Sequence, residues 1–230
     1  MAGVSRQQYT TETKIIRLMC SGRVDLAFIL RAFLNRADGV FIGGCWPGEC
    51  HYITEGNYDA LGNTHLTKKL LEHIGVNPER LRLEWITTSE GSRFAELMNE
   101  FVWKLKEIGP LGKGEGMDGN GLKFKFEAVI ELIPYIKLVE REKLRVPVKS
   151  EEAYNKFYTS DEVNRLFNDL IADKLTTNQI MALLREKPLS TEEISEILGL
   201  NPSEASRHLN VSAMQGLVRF DKSLNLVVAA

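Results

Sequence analysis

The sequence predicts an α/β protein with an open parallel sheet and flanking helices, flavodoxin- or Rossmann-like but truncated, followed by an all-α or winged helix-turn-helix domain. Between residues 13 and 109, short apolar runs alternate with longer helical patterns, which is typical of βαβ units. From about residue 150 onward, helical periodicity with short connections takes over. The 230 residues are 43% hydrophobic and 26% charged, and this balance excludes disordered and fibrous proteins.

Three strands and three helices are predicted in the first part of the chain. The strands cover residues 14–19, 40–42 and 81–86, and the first two helices cover 24–34 and 58–74. The second strand, Val-Phe-Ile, is fully apolar, as a strand buried on both faces should be. Ser89 is placed to cap a third, strongly amphipathic helix that ends at Gly109.

A change of composition after Gly109 indicates the end of a domain. Pro110 and five glycines between residues 112 and 121 predict a flexible linker. Residues 123–146 follow as a helical connector, which we expect to be interrupted at Pro134. The sequence therefore predicts a domain over residues 1–110, a linker and connector helix over 111–149, and a second domain over 150–230.

The second domain has the pattern of a winged helix. Its helices are predicted at residues 160–173, 176–186, 190–197 and 202–215. The turn before the last helix, residues 198–201, contains Gly199, as a helix-turn-helix requires. Residues 216–228 form a predicted hairpin with its turn near Asp221 to Ser223, in the position of a wing.

Three cysteines are the strongest chemical signal in the chain. Cys20 ends the first predicted strand, while Cys45 and Cys50 lie just past the second. Because ligand sites in parallel sheets lie beyond the carboxyl ends of the strands, the three thiols are expected to converge. The Cys45–Cys50 loop is also rich in glycine, and such loops present thiolates to iron–sulfur clusters.

Other interpretations of the cysteines stay open at this point. A C-x4-C spacing plus one remote cysteine also fits three ordinary buried cysteines. Three thiolates leave a four-ligand site one short, and His51 could fill the last position. Trp46 and Trp85 could shield a cofactor from water or simply pack the core.

Few other residues suggest chemistry. His65 and His73 are predicted to face solvent. No nucleophile–base pair and no phosphate-binding glycine loop is evident, so an independent enzyme active site is not expected. The net charge is −2, no apolar run is long enough to span a membrane, and the first six residues lack a secretion signal. These features predict a cytoplasmic protein.

A family resemblance is carried by residues 17–25, residues 44–52, and residues 79–86 followed by 89–91. They resemble the delta subunit family of methyl-viologen-reducing hydrogenases, and the resemblance covers about residues 2–110. It implies a non-catalytic iron–sulfur subunit with a [2Fe–2S] cluster, relaying electrons between a hydrogenase or other dehydrogenase and a flavin-containing heterodisulfide reductase subunit. Cys20, Cys45 and Cys50 match cysteine positions of the family and would be cluster ligands.

The sequence departs from this family at its start. Members of the family look as though they begin with one more strand, which ends in a C-x-x-C segment. The present sequence begins only after that segment. We therefore expect Met1 to be an internal start, for example where a selenocysteine codon is read as a stop. An intact mass equal to that of the 230-residue chain, measured on native protein, would contradict this expectation.

The role of the winged helix is a choice between protein and DNA as partner. Residues 151–230 carry eight basic and twelve acidic side chains, a net charge of −4, which is unfavourable for phosphate contacts. We therefore predict protein docking. The alternative is a redox-responsive DNA-binding regulator, and a third hypothesis is a catalytically inert fragment. Side chains of the last helix that could reach bases or phosphates are Ser203, Ser206, Arg207, Asn210 and Gln215.

Overall fold

The computed structural model describes residues 8–221 and 226–229, which form two compact units. The first unit runs to Phe126 and includes Arg145–Ser160, and the second comprises Glu127–Leu144 and the chain from Asp161 onward. The predicted domain boundaries after residues 110 and 149 stay predictions. Among the described residues, no helix combines the length and apolarity needed to cross a membrane.

The first unit is built on a parallel pair of strands. β1 (Val40–Gly44) and β2 (Leu81–Trp85) pair in parallel, with Val40 opposite Leu81 and Gly44 opposite Trp85. The flanking helices are α1 (Leu26–Leu34), α2 (Gly56–His73) and α3 (Gly91–Ile108). This arrangement confirms the predicted parallel sheet with flanking helices.

The core of the first unit is made by side chains at helical spacing. Leu26, Ile29, Leu30 and Phe33 of α1 are all buried. Each such burial contributes roughly 1.5–3 kcal/mol by the hydrophobic effect. Phe33 also stacks on Phe126, with ring centroids 5.8 Å apart. Asp25 begins α1 by accepting a hydrogen bond from the Phe28 amide at 3.1 Å.

The prediction of a strand over residues 14–19 is wrong. This segment has no regular secondary structure, and Ile16 and Met19 are among its exposed side chains. Strands of a parallel sheet are buried on both faces and read as near-continuous apolar runs. Lys14 and Arg17 interrupt the run here, whereas the apolar Val40–Ile42 does form a strand.

The glycine-rich segment after α3 is organised around a buried ion pair, which the prediction of a flexible linker missed. The guanidinium of Arg80 is fully buried and donates to the Glu115 carboxylate at 2.6 and 3.1 Å. It also donates to the carbonyls of Asp38 and Gly109 at 2.9 and 2.8 Å. Residues 109–115 are therefore held against the rest of the first unit.

The predicted interruption at Pro134 is also wrong, since α4 (Gly119–Lys143) continues through it. A proline inside a helix costs about 3 kcal/mol because it lacks an amide donor. Val129, Ile133, Ile136 and Val139 are buried on both sides of the proline at helical spacing. Their burial outweighs the local cost.

The second unit continues with further helices and a strand pair. Its helices after α4 are α6 (Asp161–Phe167), α7 (Asp173–Glu186), α8 (Thr191–Leu198) and α9 (Pro202–Met214), and its strands are β3 (Val218–Asp221) and β4 (Leu226–Ala229). A short helix of the first unit, α5 (Glu151–Tyr158), precedes them in the chain. A single wider turn, Asn168–Ala172, joins α6 to α7.

The helix-turn-helix predicted from the sequence is present in α8 and α9. Capping boxes begin both helices, Ser190 with Glu193 and Asn201 with Glu204. Gly199 between them has φ +68°, a left-handed conformation that favours glycine. β3 and β4 pair antiparallel after α9, as predicted, while most of the predicted turn near Asp221 to Ser223 lies outside the described residues.

Candidate functional site

The three cysteines occupy two segments of the first unit. Cys20 begins a short helical turn, Ser21–Arg23, and its sulfur accepts a hydrogen bond from the Gly22 amide at 3.4 Å. Cys45 follows β1 directly and is exposed, while Cys50 lies in the loop beyond and is buried. All three are free thiols.

Gly56, the first residue of α2, brings the two segments together. A Cβ atom at this position would collide with the sulfur of Cys50 and lie 3.5 Å from that of Cys20. Both sulfurs therefore lie against the same backbone position. Gly22 makes the reverse approach, since a Cβ there would be 2.9 Å from the Gly56 carbonyl oxygen.

The pKa of the Cys20 thiol also reflects the other two cysteines. Burial raises the pKa of the Cys20 thiol, and the hydrogen bond from Gly22 offsets part of this. The nearby Cys50 and, more weakly, Cys45 raise the pKa of Cys20 further. Neighbouring thiolates repel one another, and a bound cation relieves such repulsion.

Two asparagines of α2 hold the loops that carry the cysteines. Asn57 donates a side-chain hydrogen bond to the carbonyl of Cys45, and Asn63 donates to the carbonyl of Val24 at 3.1 Å. Both asparagines are buried. Neither asparagine was predicted as a functional residue, although polar residues on a core helix are a usable signal because such groups need partners when buried.

Trp46, next to Cys45, is fixed by polar contacts. Its indole donates to the Glu90 carboxylate at 2.8 Å, and the Arg93 guanidinium lies 4.9 Å from its ring centroid. Glu90 also accepts from the Thr87 amide at 2.8 Å, and these bonds from Thr87 and Trp46 lower the pKa of the carboxyl. The predicted cap at Ser89 is wrong, because Glu90 is the residue that precedes α3.

Trp85 lies at the end of β2 and is buried. Its indole donates to Glu151 at 3.0 Å, so it anchors α5 within the first unit.

The three histidines of the first unit are His51 and His73, which are exposed, and His65, which is half-buried. His51 is exposed and meets Tyr52 edge to face, and His73 is exposed as predicted. The prediction of a solvent-facing His65 is wrong. This ring stacks on Tyr158 at 5.1 Å and its Nε2 lies 2.9 Å from the Asn155 side-chain oxygen. Burial lowers the pKa of His65.

The donor set fits a thiolate-bound iron–sulfur cluster in its chemistry. Two sulfurs face one glycine, that of Cys45 is close enough to affect the ionisation of Cys20, and thiolates are the usual ligands of such clusters. Within residues 8–221 and 226–229, no group of three or more His, Cys, Asp or Glu side chains is arranged to hold a metal ion.

The helix-turn-helix of the second unit presents a partly neutralised face. Ser203, Ser206, Arg207 and Asn210 are exposed along α9, and Gln215 is exposed just beyond it. The Arg207 guanidinium forms a two-pronged ion pair with Asp173 at 2.9 and 3.2 Å. The main cation of this helix is therefore already engaged by a carboxylate.

The first unit thus combines a parallel strand pair with two thiols that approach one glycine. Residues 1–109 match the family described as "Methyl-viologen-reducing hydrogenase, delta subunit", and residues 176–219 match the helix-turn-helix family described as "Bacterial regulatory protein, arsR family". The chain belongs to the methyl-viologen-reducing hydrogenase delta subunit family, as the sequence resemblance indicated.

Curated relatives share the first half of the chain. This chain is 52% identical to an F420-non-reducing hydrogenase iron-sulfur subunit of Archaeoglobus profundus over 110 aligned residues. The aligned residues cover 48% of this chain and 80% of that protein. An F420-non-reducing hydrogenase vhc iron-sulfur subunit of Methanococcus voltae is 49% identical over 109 residues, 47% of this chain and 75% of the relative.

A third relative is much longer. It is a Ferredoxin/F(420)H(2)-dependent CoB-CoM heterodisulfide reductase subunit of Methanosarcina acetivorans, and it is 47% identical to this chain over 112 residues. The aligned residues cover 49% of this chain and 14% of that subunit. The same module therefore exists as a small part of a heterodisulfide reductase subunit.

Proposed function

We propose that this protein is an iron–sulfur electron-transfer subunit that relays electrons between a hydrogenase or other dehydrogenase and a flavin-containing heterodisulfide reductase subunit. The observation that carries the proposal is the approach of Cys20 and Cys50 to Gly56, with Cys45 in the same loop as Cys50. The names of the relatives, which include iron–sulfur subunits and a heterodisulfide reductase subunit, support the same role.

In this proposal, Cys20, Cys45 and Cys50 are thiolate ligands of a [2Fe–2S] cluster. Held by these three residues, such a cluster would supply one-electron transfer between a donor and an acceptor. The chain supplies the sulfurs, holds Cys45 through the Asn57 hydrogen bond, and leaves room for the sulfurs by placing Gly56 rather than a larger residue between them. The predicted cytoplasmic location stays a prediction.

The second unit is proposed to dock on a protein. Its helix-turn-helix matches a family of regulatory proteins, which keeps the redox-responsive DNA-binding regulator as a second candidate. The net charge of −4 over residues 151–230 and the Arg207–Asp173 pair favour docking, because DNA affinity depends on free cations facing phosphates.

The cluster proposal is tested on the full chain purified without oxygen. We expect about two iron and two acid-labile sulfide per chain, the content of a [2Fe–2S] centre. Replacing Cys20, Cys45 or Cys50 singly by serine should remove most of the iron and the visible absorption. The reduced protein should give the electron paramagnetic resonance signal of a [2Fe–2S] rather than a [4Fe–4S] centre.

His51→Ala is the matched control, since this side chain lies next to Cys50 but is exposed. It should retain iron, and loss of iron from this variant would instead identify His51 as a further ligand. Iron that survives all three serine substitutions would overturn the proposed ligand set.

The DNA-binding candidate is tested with the same full chain and genomic promoter fragments at low ionic strength. The docking proposal predicts no salt-dependent binding. Arg219 is an exposed cation of β3. Binding that weakens steeply with salt, and that is lost in Arg219→Glu, would favour the regulator instead.

A further inference from the structure

The segment leading into Cys20 has an unusual surface. Four apolar side chains, Ile15, Ile16, Leu18 and Met19, are exposed in a run of five residues. Ile16 is 82% exposed and Met19, adjacent to Cys20, is 95% exposed. Single exposed apolar residues are common, whereas a contiguous exposed group indicates a binding surface.

The loop beyond Cys50 also exposes apolar side chains. Tyr52 and Ile53 are 51% and 76% exposed, one and two residues past His51. Exposed apolar side chains therefore flank two of the three cysteines closely in the sequence, and the sulfurs of these two cysteines lie against the same glycine.

The stretch from residue 14 to residue 23 is positively charged. Lys14, Arg17 and Arg23 are exposed, and no acidic residue occurs between residues 13 and 24. In the part of the chain that the structure describes, no ion pair engages these three cations. Exposed charges without partners steer a complementary surface during diffusional encounter.

The segment is also held in place at both ends. Before it, Tyr9 packs edge to face on Phe94 and Glu12 pairs with Lys106 at 2.8 Å, which ties residues 9–12 to α3. After it, the Ser21–Arg23 turn lies against Gly56. A surface that is exposed but anchored loses less conformational entropy on binding than a free tail would.

We propose that residues 14–19, together with Tyr52 and Ile53, are a docking surface for an acidic redox protein with an apolar patch at the centre of its own interface. This inference rests on the proposed function, because electron exchange requires the partner to approach the face that carries the cysteines. The apolar side chains supply contact area and the three cations supply orientation. A second copy of this chain would bring the same cations against each other, so a complementary acidic protein fits better.

The test uses the full chain and a purified acidic ferredoxin, a small iron–sulfur carrier, as the probe. Binding is measured by isothermal titration calorimetry at low and moderate salt. We expect the double variant Lys14→Glu/Arg17→Glu to weaken binding at low salt by about tenfold or more, because it places like charges at the interface. The affinity of the variant should also depend less on salt.

The matched control is Lys113→Glu/Lys156→Glu, which changes the net charge equally at two other exposed lysines of the first unit. It should alter the affinity by less than about twofold. For the apolar part, Ile16→Ser should weaken binding by about three- to tenfold, whereas Trp103→Ser on α3 should not. All of these positions are exposed, so folding is preserved, and circular dichroism checks this.

Calorimetry does not require a bound cluster, so the outcomes separate the two proposals. Iron-free protein that still binds ferredoxin through residues 14–19 would contradict the cluster proposal alone. Equal weakening by both charge-reversal pairs, or the absence of ferredoxin binding at low salt, would overturn the docking surface. Preferential binding of these cations to DNA would overturn it as well.

Discussion

In each unit of the molecule, an arginine pairs with a carboxylate by two hydrogen bonds, but the Arg80–Glu115 and Arg207–Asp173 pairs have opposite surroundings. In the first unit, the Arg80 side chain is 0% exposed and that of Glu115 is 7% exposed. In the second, the corresponding values for Arg207 and Asp173 are 53% and 45%. Both pairs join a guanidinium to a carboxylate, but they differ in the access of water.

The difference shows where an ion pair can determine structure. Arg80 also donates to the carbonyls of Asp38 and Gly109, and Glu115 also accepts from the amides of Gly112 and Asn77. Removing either partner leaves buried polar groups unsatisfied, which is costly. The charges of Arg207 and Asp173 can be solvated by water when the pair separates. Their pairing therefore affects the charge that α9 exposes more than the stability of the unit.

The largest effect is expected from Arg80→Met. It leaves the Glu115 carboxylate buried without its cation, and the first unit should lose about 3–5 kcal/mol of unfolding free energy. All three tryptophans lie between residues 46 and 103, so urea unfolding followed by tryptophan fluorescence reports on this unit alone.

Arg82→Met, two residues further along, is the control for Arg80→Met. Arg82 is partly exposed and pairs with Glu84 at 2.7 Å. It should lose no more than about 1 kcal/mol. If both variants lost the same unfolding free energy, burial of the Arg80–Glu115 pair would not be what makes it important for stability.

An intermediate effect is expected from pH. Burial of the Glu115 carboxyl opposes its ionisation, but hydrogen bonds from Arg80 and the Gly112 amide outweigh this and hold its pKa below the ordinary value of 4.5. A carboxyl with a lowered folded-state pKa stabilises the fold fully above its unfolded pKa, and this contribution is lost as pH falls through the folded value.

The pH effect is checked by comparing wild type with Glu115→Gln from pH 6 to pH 3, again by tryptophan fluorescence in urea. The wild type should lose stability steeply below about pH 4.5, whereas the variant should be less stable at pH 6 and should lose less on acidification. Glu90, whose pKa is also lowered, titrates in both proteins and so cancels in the difference. Parallel curves would show that Glu115 is not the group responsible.

The smallest effect is expected from Arg207→Met. Its exposed pair with Asp173 should contribute between about 0 and 1 kcal/mol, measured by far-ultraviolet circular dichroism during thermal unfolding. Tryptophan fluorescence should not change, because the second unit contains no tryptophan. A loss comparable to that of Arg80→Met would mean that the exposed pair organises its unit too.

The sequence predicted the elements that local patterns determine. The apolar run Val40–Ile42, the periodicity of α3 and the Gly199 turn between α8 and α9 all follow from residues close together in the chain. The resemblance to a hydrogenase subunit family, carried by the cysteine segments, is confirmed at the level of the family. The ligand roles of Cys20, Cys45 and Cys50 remain predictions.

What the sequence did not predict depends on distant partners. Arg80 and Glu115 are 35 residues apart, and nothing local indicates that the glycine-rich segment closes over the arginine. Residues 14–19 have strand-like composition but no neighbouring strand in the described part of the chain. Pro134 remains inside a helix because of apolar burial on either side of it, which composition alone does not reveal.

The wider turn between α6 and α7 constrains how many residues this part of the chain can contain. Across Asn168–Ala172, the Asp173 amide bonds to the carbonyl five residues back instead of four. The helical run therefore contains one residue more than a regular α-helix of the same rise. Deleting a residue there would rotate α6 by about 100° relative to α7. Val163 and Phe167 would then leave the core, so homologous chains should tolerate insertions and deletions in the loops around this run but not within it.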